Sequence, residues 1–134
     1  MHVLIMDGQG GGLGKQLITA LKDGPDIFIT AVGTNSAATN AMLKAGANEG
    51  ATGENAAIVA CRKADVIMGP VGIAIADSLL GEITPSVAKA VGQSSAKKIL
   101  IPMNMCDIMI PGLKSVPIKS LISDAVEQLK TISE

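Results

Sequence analysis

Short, unbroken apolar runs that end at glycine, proline or asparagine, and that alternate with helix-period stretches, limit this chain more than any other feature. Val3–Met6 runs into Asp7-Gly8, Ile27–Val32 into Gly33-Thr34-Asn35-Ser36, Val66–Met68 into Gly69-Pro70, and Ile99–Ile101 into Pro102. A strand with one wet face would alternate apolar and polar residues. These runs do not, so each is read as a strand buried on both faces of a parallel sheet. Between them, Leu13, Leu17, Ile18 and Leu21 fall on one helical face, opposite Lys15, Thr19 and Lys22. Gly24-Pro25 is read as the stop of that helix. Ala38, Ala41, Met42 and Ala45 mark a second helix, capped by Asn35 or Ser36 and ended at Gly46.

Thr52 is expected to cap a third helix, with Glu54 in its acidic first turn. Thr84-Pro85 reads as a helix start, a capping hydroxyl followed by proline. Ile118, Leu121, Ile122, Ala125, Val126, Leu129 and Ile132 share one face of a long C-terminal helix. A weak strand is read at 48–51 and a short edge strand at 108–110. Val71–Leu80 is nearly apolar all round and is expected to be a helix buried in the domain or against a partner chain. The alternation predicts an α/β fold: one three-layer Rossmann-like domain over residues 1–134, with a mostly parallel sheet of about five strands.

Composition narrows the function classes. Apolar residues are 48% and charged residues 17%, enough for a packed core. A net charge of -1 and a single aromatic residue, Phe28, argue against nucleic acid as a partner. Two cysteines, Cys61 and Cys106, suit a reducing compartment better than a disulfide scaffold. No basic leader precedes the first apolar run, and no clean apolar stretch reaches the ~20 residues of a membrane span. A cytoplasmic location away from membranes is expected. The mean hydropathy of +0.43 together with the Val71–Leu80 run predicts a homo-oligomer.

The segment from Asp7 to Lys15 joins the first strand to the first helix and holds Gly8, Gly10, Gly11, Gly12 and Gly14. Glycines let a phosphate approach the backbone, and a helix start behind them offers free N–H groups at the positive end of a dipole. The nucleoside-triphosphate pattern fails twice, because Gln9 stands where its first glycine belongs and Gln16 where its hydroxyl belongs. The strict dinucleotide pattern fails at Leu13. The spacing Gly8-x-x-x-Gly12-x-Gly14 resembles the short-chain dehydrogenase version. The competing reading is a tight turn with close helix–sheet packing and no ligand.

In an open parallel sheet, ligands sit outside the carboxyl ends of the strands. Gly33, Thr34, Asn35, Ser36, Gly69, Gly72 and Asn104 are placed there beside Asp7 and Lys15 as candidate binding residues. The second strand ends without the carboxylate that usually receives an adenosine ribose, and Asn35 and Ser36 suit a helix cap as well as a ligand. Catalytic candidates are few. His2 lies at the opposite edge, no metal cluster is readable, and the Tyr-x-x-x-Lys pair of short-chain dehydrogenases has no tyrosine to form it. Asp77 and Cys106 remain as candidates, with Glu82 ranked below Asp77.

Asp7-Gly-Gln-Gly-Gly-Gly, Ala31-Val-Gly-Thr-Asn-Ser36, Ala51-Thr-Gly-Glu-Asn55, Ile75-Ala-Asp-Ser-Leu-Leu-Gly-Glu-Ile-Thr-Pro85 and Lys97-Lys-Ile-Leu-Ile-Pro102 together resemble a small bacterial family, the domain-of-unknown-function family numbered thirty-eight forty-two. The resemblance implies a Rossmann-like domain and assigns no activity and no catalytic residue. The expected ligand is a small phosphorylated molecule, NAD(P) or another nucleotide, held by free amides of the glycine loop. Three roles stand open, in this order: a nucleotide-binding protein, an oxidoreductase being one form of it; a non-catalytic sensor or accessory subunit that binds an anionic or phosphorylated metabolite; and an isomerase or synthase acting on a phosphorylated metabolite through Asp77 or Cys106.

Overall fold

The computed structural model describes every residue except Pro25, residues 104–106 and Glu134. Five strands, β1 (His2–Asp7), β2 (Phe28–Gly33), β3 (Glu49–Thr52), β4 (Val66–Pro70) and β5 (Lys97–Ile101), form one sheet in the order β3-β2-β1-β4-β5. Every pairing is parallel, with Val3 opposite Ile29 and Val66, and Asp7 opposite Gly33. The helices are α1 (Gly12–Leu21), α2 (Ser36–Ala45), α3 (Glu54–Lys63), α4 (Pro85–Gln93) and α5 (Ile118–Ser133).

The unbroken apolar runs follow from burial on both faces. Val3 and Ile5 of β1 join Leu17, Leu21, Met42, Val126 and Leu129 in one core. Leu4 and Met6, pointing the other way, join Cys61, Ile73, Ile83, Val87 and Val91 in a second core. Alternate side chains of one strand thus enter different cores, and a polar residue at either parity would be buried. Helices α1, α2 and α5 supply the first core, and α3 and α4 the second. Cys61 lies in the second core, and burial pushes its thiol up to about 11.

Local expectations divide. Thr84 caps α4, its hydroxyl accepting from the Val87 amide at 3.2 Å, and Asn35 caps α2, its side chain accepting from the Ala38 amide at 2.9 Å. The cap of α3 is Gly53; Thr52 is instead the last residue of β3, its hydroxyl 2.7 Å from that of Thr39. The weak third strand runs over Glu49–Thr52, one residue later than read. Position 108 makes an isolated bridge and no strand. The helix stop at Pro25 lies outside the described residues.

The expected helix over Val71–Leu80 does not form. Only Val71–Ala74 makes a 3-10 turn, and φ is positive at Asp77, Leu79 and Leu80. Two hydrogen bonds, each spanning six residues, replace helical geometry. The Ser78 hydroxyl donates to the Gly72 carbonyl, and the Asp77 amide donates to the Ile83 carbonyl at 2.7 Å. Ile73 and Leu79 are buried in the domain's own core, whereas Leu80 is 82% exposed. Val71 and Ile75 are half-buried and Ala74 and Ala76 are exposed, so the chain covers part of this segment's apolar surface and leaves part uncovered.

Gly69 lies where β4 passes closest to β1. An added Cβ would strike the main-chain carbonyl of Met6. We expect Gly69→Ala to cost about 1–3 kcal/mol in urea unfolding, as overpacking against rigid backbone does. Wild-type stability in that variant would show that β1 and β4 can separate freely.

Candidate functional site

The strand order places a crevice. From β1 the chain moves to β2 and β3 on one side, then crosses to β4 and β5 on the other. The carboxyl ends of β1 and β4 therefore bound the point where the winding reverses, the usual ligand position in such sheets. The glycine loop leaves β1 there, and Gly69-Pro70 ends β4 opposite it.

The loop glycines fall into two sets. Gly8, Gly11 and Gly14 are needed for packing. A Cβ at Gly8 would lie 2.7 Å from the Thr34 hydroxyl, at Gly11 2.8 Å from the backbone of Ala38, and at Gly14 2.5 Å from the Met42 sulfur. Gly11 also has φ +74, a conformation that favours glycine. Gly10 and Gly12 are exposed, and a Cβ there would meet nothing within 4 Å. The spacing Gly8, Gly12, Gly14 thus mixes the two sets. The tight-turn reading accounts for Gly8 and Gly14, and leaves Gly10 and Gly12 unexplained.

The amides divide in the same way. The carboxylate of Asp7 accepts from the Gly8 amide at 2.8 Å and from the Gly14 amide at 2.7 Å. The Gly11 amide donates to the Gly8 carbonyl at 2.9 Å. The Gln9 amide donates to the carboxylate of Glu82 at 2.9 Å. The expectation of freely available loop amides is corrected to this extent: of these glycine-loop donors, the Gly10 and Gly12 amides alone have no acceptor among the described residues. Both lie beside the N-terminal end of α1, where the helix dipole favours a negative ligand.

Two carboxylates bracket the loop. Asp7 is 5% exposed. Burial lifts its carboxyl above the usual carboxylate range, against the pull of the Gly14, Gly8 and Leu13 amides, and the charge of Glu82 pushes the same way. Glu82 comes from the segment before α4 and sits at the end of β2. One oxygen, Oε1, accepts from the Gln9 amide, from the Thr34 hydroxyl and from the Asn35 side-chain amide at 2.9 Å. Asn35 also donates to the Gln9 carbonyl at 2.9 Å. Burial pushes the Glu82 carboxyl upward, but the donors from Thr34, Gln9 and Asn35 outweigh it and hold it below the usual range.

The structure thus brings Asp7, Gly8, Gly10, Gly11, Gly12, Gly14, Thr34 and Asn35 together. Lys15 and Ser36 are exposed in the first turns of α1 and α2. Gly33 packs under Thr39, where an added Cβ would lie 2.6 Å from the Thr39 amide nitrogen. Gly69 is spent on strand packing, and the Gly72 carbonyl accepts from Ser78. Asp77 is exposed and lines a cavity of about 320 Å³ with Ile75, Leu80, Asp107 and Ile108. Asn104 and Cys106 lie outside the described residues. His2 is exposed at the amino end of β1, its ring 5.1 Å from that of Phe28.

Glu82 is the residue that sequence reasoning undervalued. It ranks below Asp77 when 71–80 is read as a helix; the structure sets its carboxylate against Gln9, Thr34 and Asn35. Gly81, with φ +85, and the Thr84-Pro85 helix start were local signs of a turn at this point. The 48 residues separating Glu82 from Thr34 carried no such sign. Among the described residues, no group of three His, Cys, Asp or Glu side chains could hold a metal ion, and no helix is long and apolar enough to cross a membrane.

The model of a family described as a domain of unknown function, DUF3842, matches residues 2–134. Among solved structures, the chain is similar to a dodecameric FMN-dependent Ubix-like decarboxylase from Escherichia coli O157:H7. That match has a TM-score of 0.56 and 18% identity, and covers 97% of this chain and 95% of that one. The chain is also similar to apo histidine-tagged saccharopine dehydrogenase (L-Glu forming) from Saccharomyces cerevisiae, with a TM-score of 0.52 and 15% identity over 84% of this chain and 23% of that one. At these identities the likeness shows the fold alone. No curated protein matches the sequence.

The two glycine sets predict opposite outcomes in urea unfolding. Gly11→Ala combines a left-handed backbone with a collision against Ala38 and should lose about 2 kcal/mol or more. Gly12→Ala should stay within about 0.5 kcal/mol of wild type, as open surface positions do. Equal losses would overturn the division. Asp7→Ala leaves the Gly8 and Gly14 amides without their acceptor and should cost about 1–3 kcal/mol. Since burial raises the Asp7 carboxyl, the folded state holds that proton more tightly than the unfolded chain does. Wild type should therefore gain stability relative to Asp7→Ala as pH falls from the folded pKa of Asp7 toward 3.8, the ordinary value for an aspartate in an unfolded chain. A gap that shrinks over that window would contradict the raised pKa.

Proposed function

We propose a function for this chain, which belongs to the domain-of-unknown-function family DUF3842: it binds a phosphate-bearing ligand of nucleotide type at the carboxyl edge of its sheet. One observation carries the proposal. Gly10 and Gly12 are exposed beside the N-terminus of α1, their amides have no acceptor among the described residues, and an added Cβ at either would meet nothing within 4 Å. Phosphate oxygens are the ligand atoms that such a pair of donors suits. Lys15, exposed in the first turn of α1, adds a mobile positive charge next to them.

The inner amides of the loop are engaged by Asp7 and Glu82, so the phosphate belongs on the outer rim, away from the floor of the crevice. FMN and NAD(P) are the cofactors to try first, given the fold. The reading as a sensor or accessory subunit has one observation in its favour. Both carboxylates in the site are tied to donors of the loop and of the β2 end, an arrangement that builds a binding surface more readily than it moves protons. Leu80 and Met109, the most exposed large apolar side chains among the described residues, are the candidates for self-association.

Calorimetry with FMN, FAD, NAD(H), NADP(H), ATP and GTP tests the proposal. At least one should bind with a Kd below 1 mM, about -4.1 kcal/mol or tighter. Gly12→Val should weaken that binding at least about tenfold, ~1.4 kcal/mol, with the fold retained. No binding by any of the six, or undiminished affinity in Gly12→Val, would overturn it.

A further inference from the structure

We infer that Glu82 reads the sugar of the bound nucleotide, its Oε2 accepting hydrogen bonds from vicinal ribose hydroxyls. The inference rests on the nucleotide reading above and adds the chemistry of the ligand next to its phosphate. The end of β2, Gly33-Thr34-Asn35-Ser36, has no carboxylate of its own. The fold supplies one there from a distant segment. Glu82 lies against Thr34 and Asn35 of that strand end and against Gln9 of the glycine loop, between the two elements that a nucleotide at this edge would span.

The two oxygens of this carboxylate are in different states. Oε1 is saturated by the Gln9 amide, the Thr34 hydroxyl and the Asn35 side-chain amide. No described residue donates to Oε2, and it is not a fully buried oxygen, so it keeps contact with solvent on a half-buried residue. A carboxylate fixed through one oxygen and free at the other is a preorganised acceptor. It accepts from hydroxyls and has no proton of its own to offer. The donors that hold Oε1 also keep the group ionised, so it remains an acceptor at neutral pH.

A competing reading makes Glu82 a plug that imitates the ligand's anion and swings away when a real one arrives. The structure favours a fixed group. Departure would strip the Gln9 amide, the Thr34 hydroxyl and the Asn35 side chain of a shared acceptor. The segment that carries Glu82 is also pinned on several sides. Leu79 is buried, the Ser78 hydroxyl donates to the Gly72 carbonyl, and the Glu82 amide donates to the Leu79 carbonyl at 3.1 Å. Left-handed backbone at Leu79 and Leu80, which leucine adopts at a cost, is sustained by this local framework.

Calorimetric titration of wild type and Glu82→Gln with ATP, 2′,3′-dideoxy-ATP and inorganic pyrophosphate tests the inference. Wild type should bind ATP at least about tenfold more tightly than the dideoxy compound, and Glu82→Gln should bind the two within about twofold of each other. Glutamine keeps an oxygen for the three donors but can turn an N–H group toward the sugar, and a thermal scan confirms folding. If that variant does not fold, the wild-type comparison of ATP with dideoxy-ATP decides alone. Equal wild-type affinity for those two overturns the sugar role and leaves the phosphate reading standing. Tighter binding of pyrophosphate by Glu82→Gln, with no sugar preference in wild type, shows a plug and overturns it as well. No binding of any of these three probes by wild type overturns the sugar role as stated, and the nucleotide reading falls with it only if all six compounds named above also fail to bind.

Discussion

Hydrogen bonds from two main-chain amides to the buried carboxylate of Asp7 hold the centre of this molecule. Gly8 directly follows β1, and Gly14 lies in the first turn of α1, so one side chain ties the strand's end to the helix's start. The N-cap of α1, Gly11, has no side chain with which to satisfy those amides. Asp7 does the task from the strand instead. It thereby supplies internally the negative charge that a helix N-terminus favours. The tie also sets the path of the loop. Along that path Gly11 comes so close to the backbone of α2 that an added Cβ would collide with it, and a Cβ at Gly14 would displace the Met42 side chain. The charge is costly to bury, as the raised Asp7 carboxyl shows, and the amides compensate only part of that cost.

Glu82 repeats this logic one layer further out. Asp7 joins a strand to its own helix, whereas Glu82 joins three segments distant in sequence: the glycine loop, the end of β2 and the turn before α4. Asn35 illustrates the coupling. Its side-chain oxygen caps α2, and its nitrogen donates to both Gln9 and Glu82. The carboxyl edge is consequently built around two fixed negative charges, and the open amides lie outside them.

Much of this fold is legible in sequence because the signals are local and agree with one another. The apolar runs locate β1, β2, β4 and β5, since burial on both faces leaves a mark that needs no partner to interpret. Thr84-Pro85 and Asn35 cap as read, because capping involves neighbours three residues apart. The reading fails where contacts longer than the helical spacing decide. Val71–Leu80 has the composition of a buried helix, yet the bonds from Ser78 to Gly72 and from Asp77 to Ile83 hold it as turns. The site was legible only as a glycine cluster. Sequence cannot tell Gly14, pressed on Met42, from Gly12, facing open space, because the difference lies in what α2 brings to the loop. Nor could it place Glu82 beside Thr34.

The arrangement of charge bears on how a ligand would lie. A phosphate set against the Glu82 carboxylate would be repelled: two unit charges about 6 Å apart at an effective dielectric of about 20 differ from infinite separation by ~3 kcal/mol. That is enough to cancel what a pair of amide hydrogen bonds contributes. A ligand that keeps its phosphate on the outer amides, near Lys15, and turns a neutral hydroxylated portion toward Glu82 avoids the penalty and gains acceptors for its hydroxyls. A bare inorganic anion has no such portion. On the proposed reading, a loop that discourages a naked phosphate at its inner end would favour a phosphate attached to a sugar, and selectivity at this edge would come from the carboxylates as much as from the glycines.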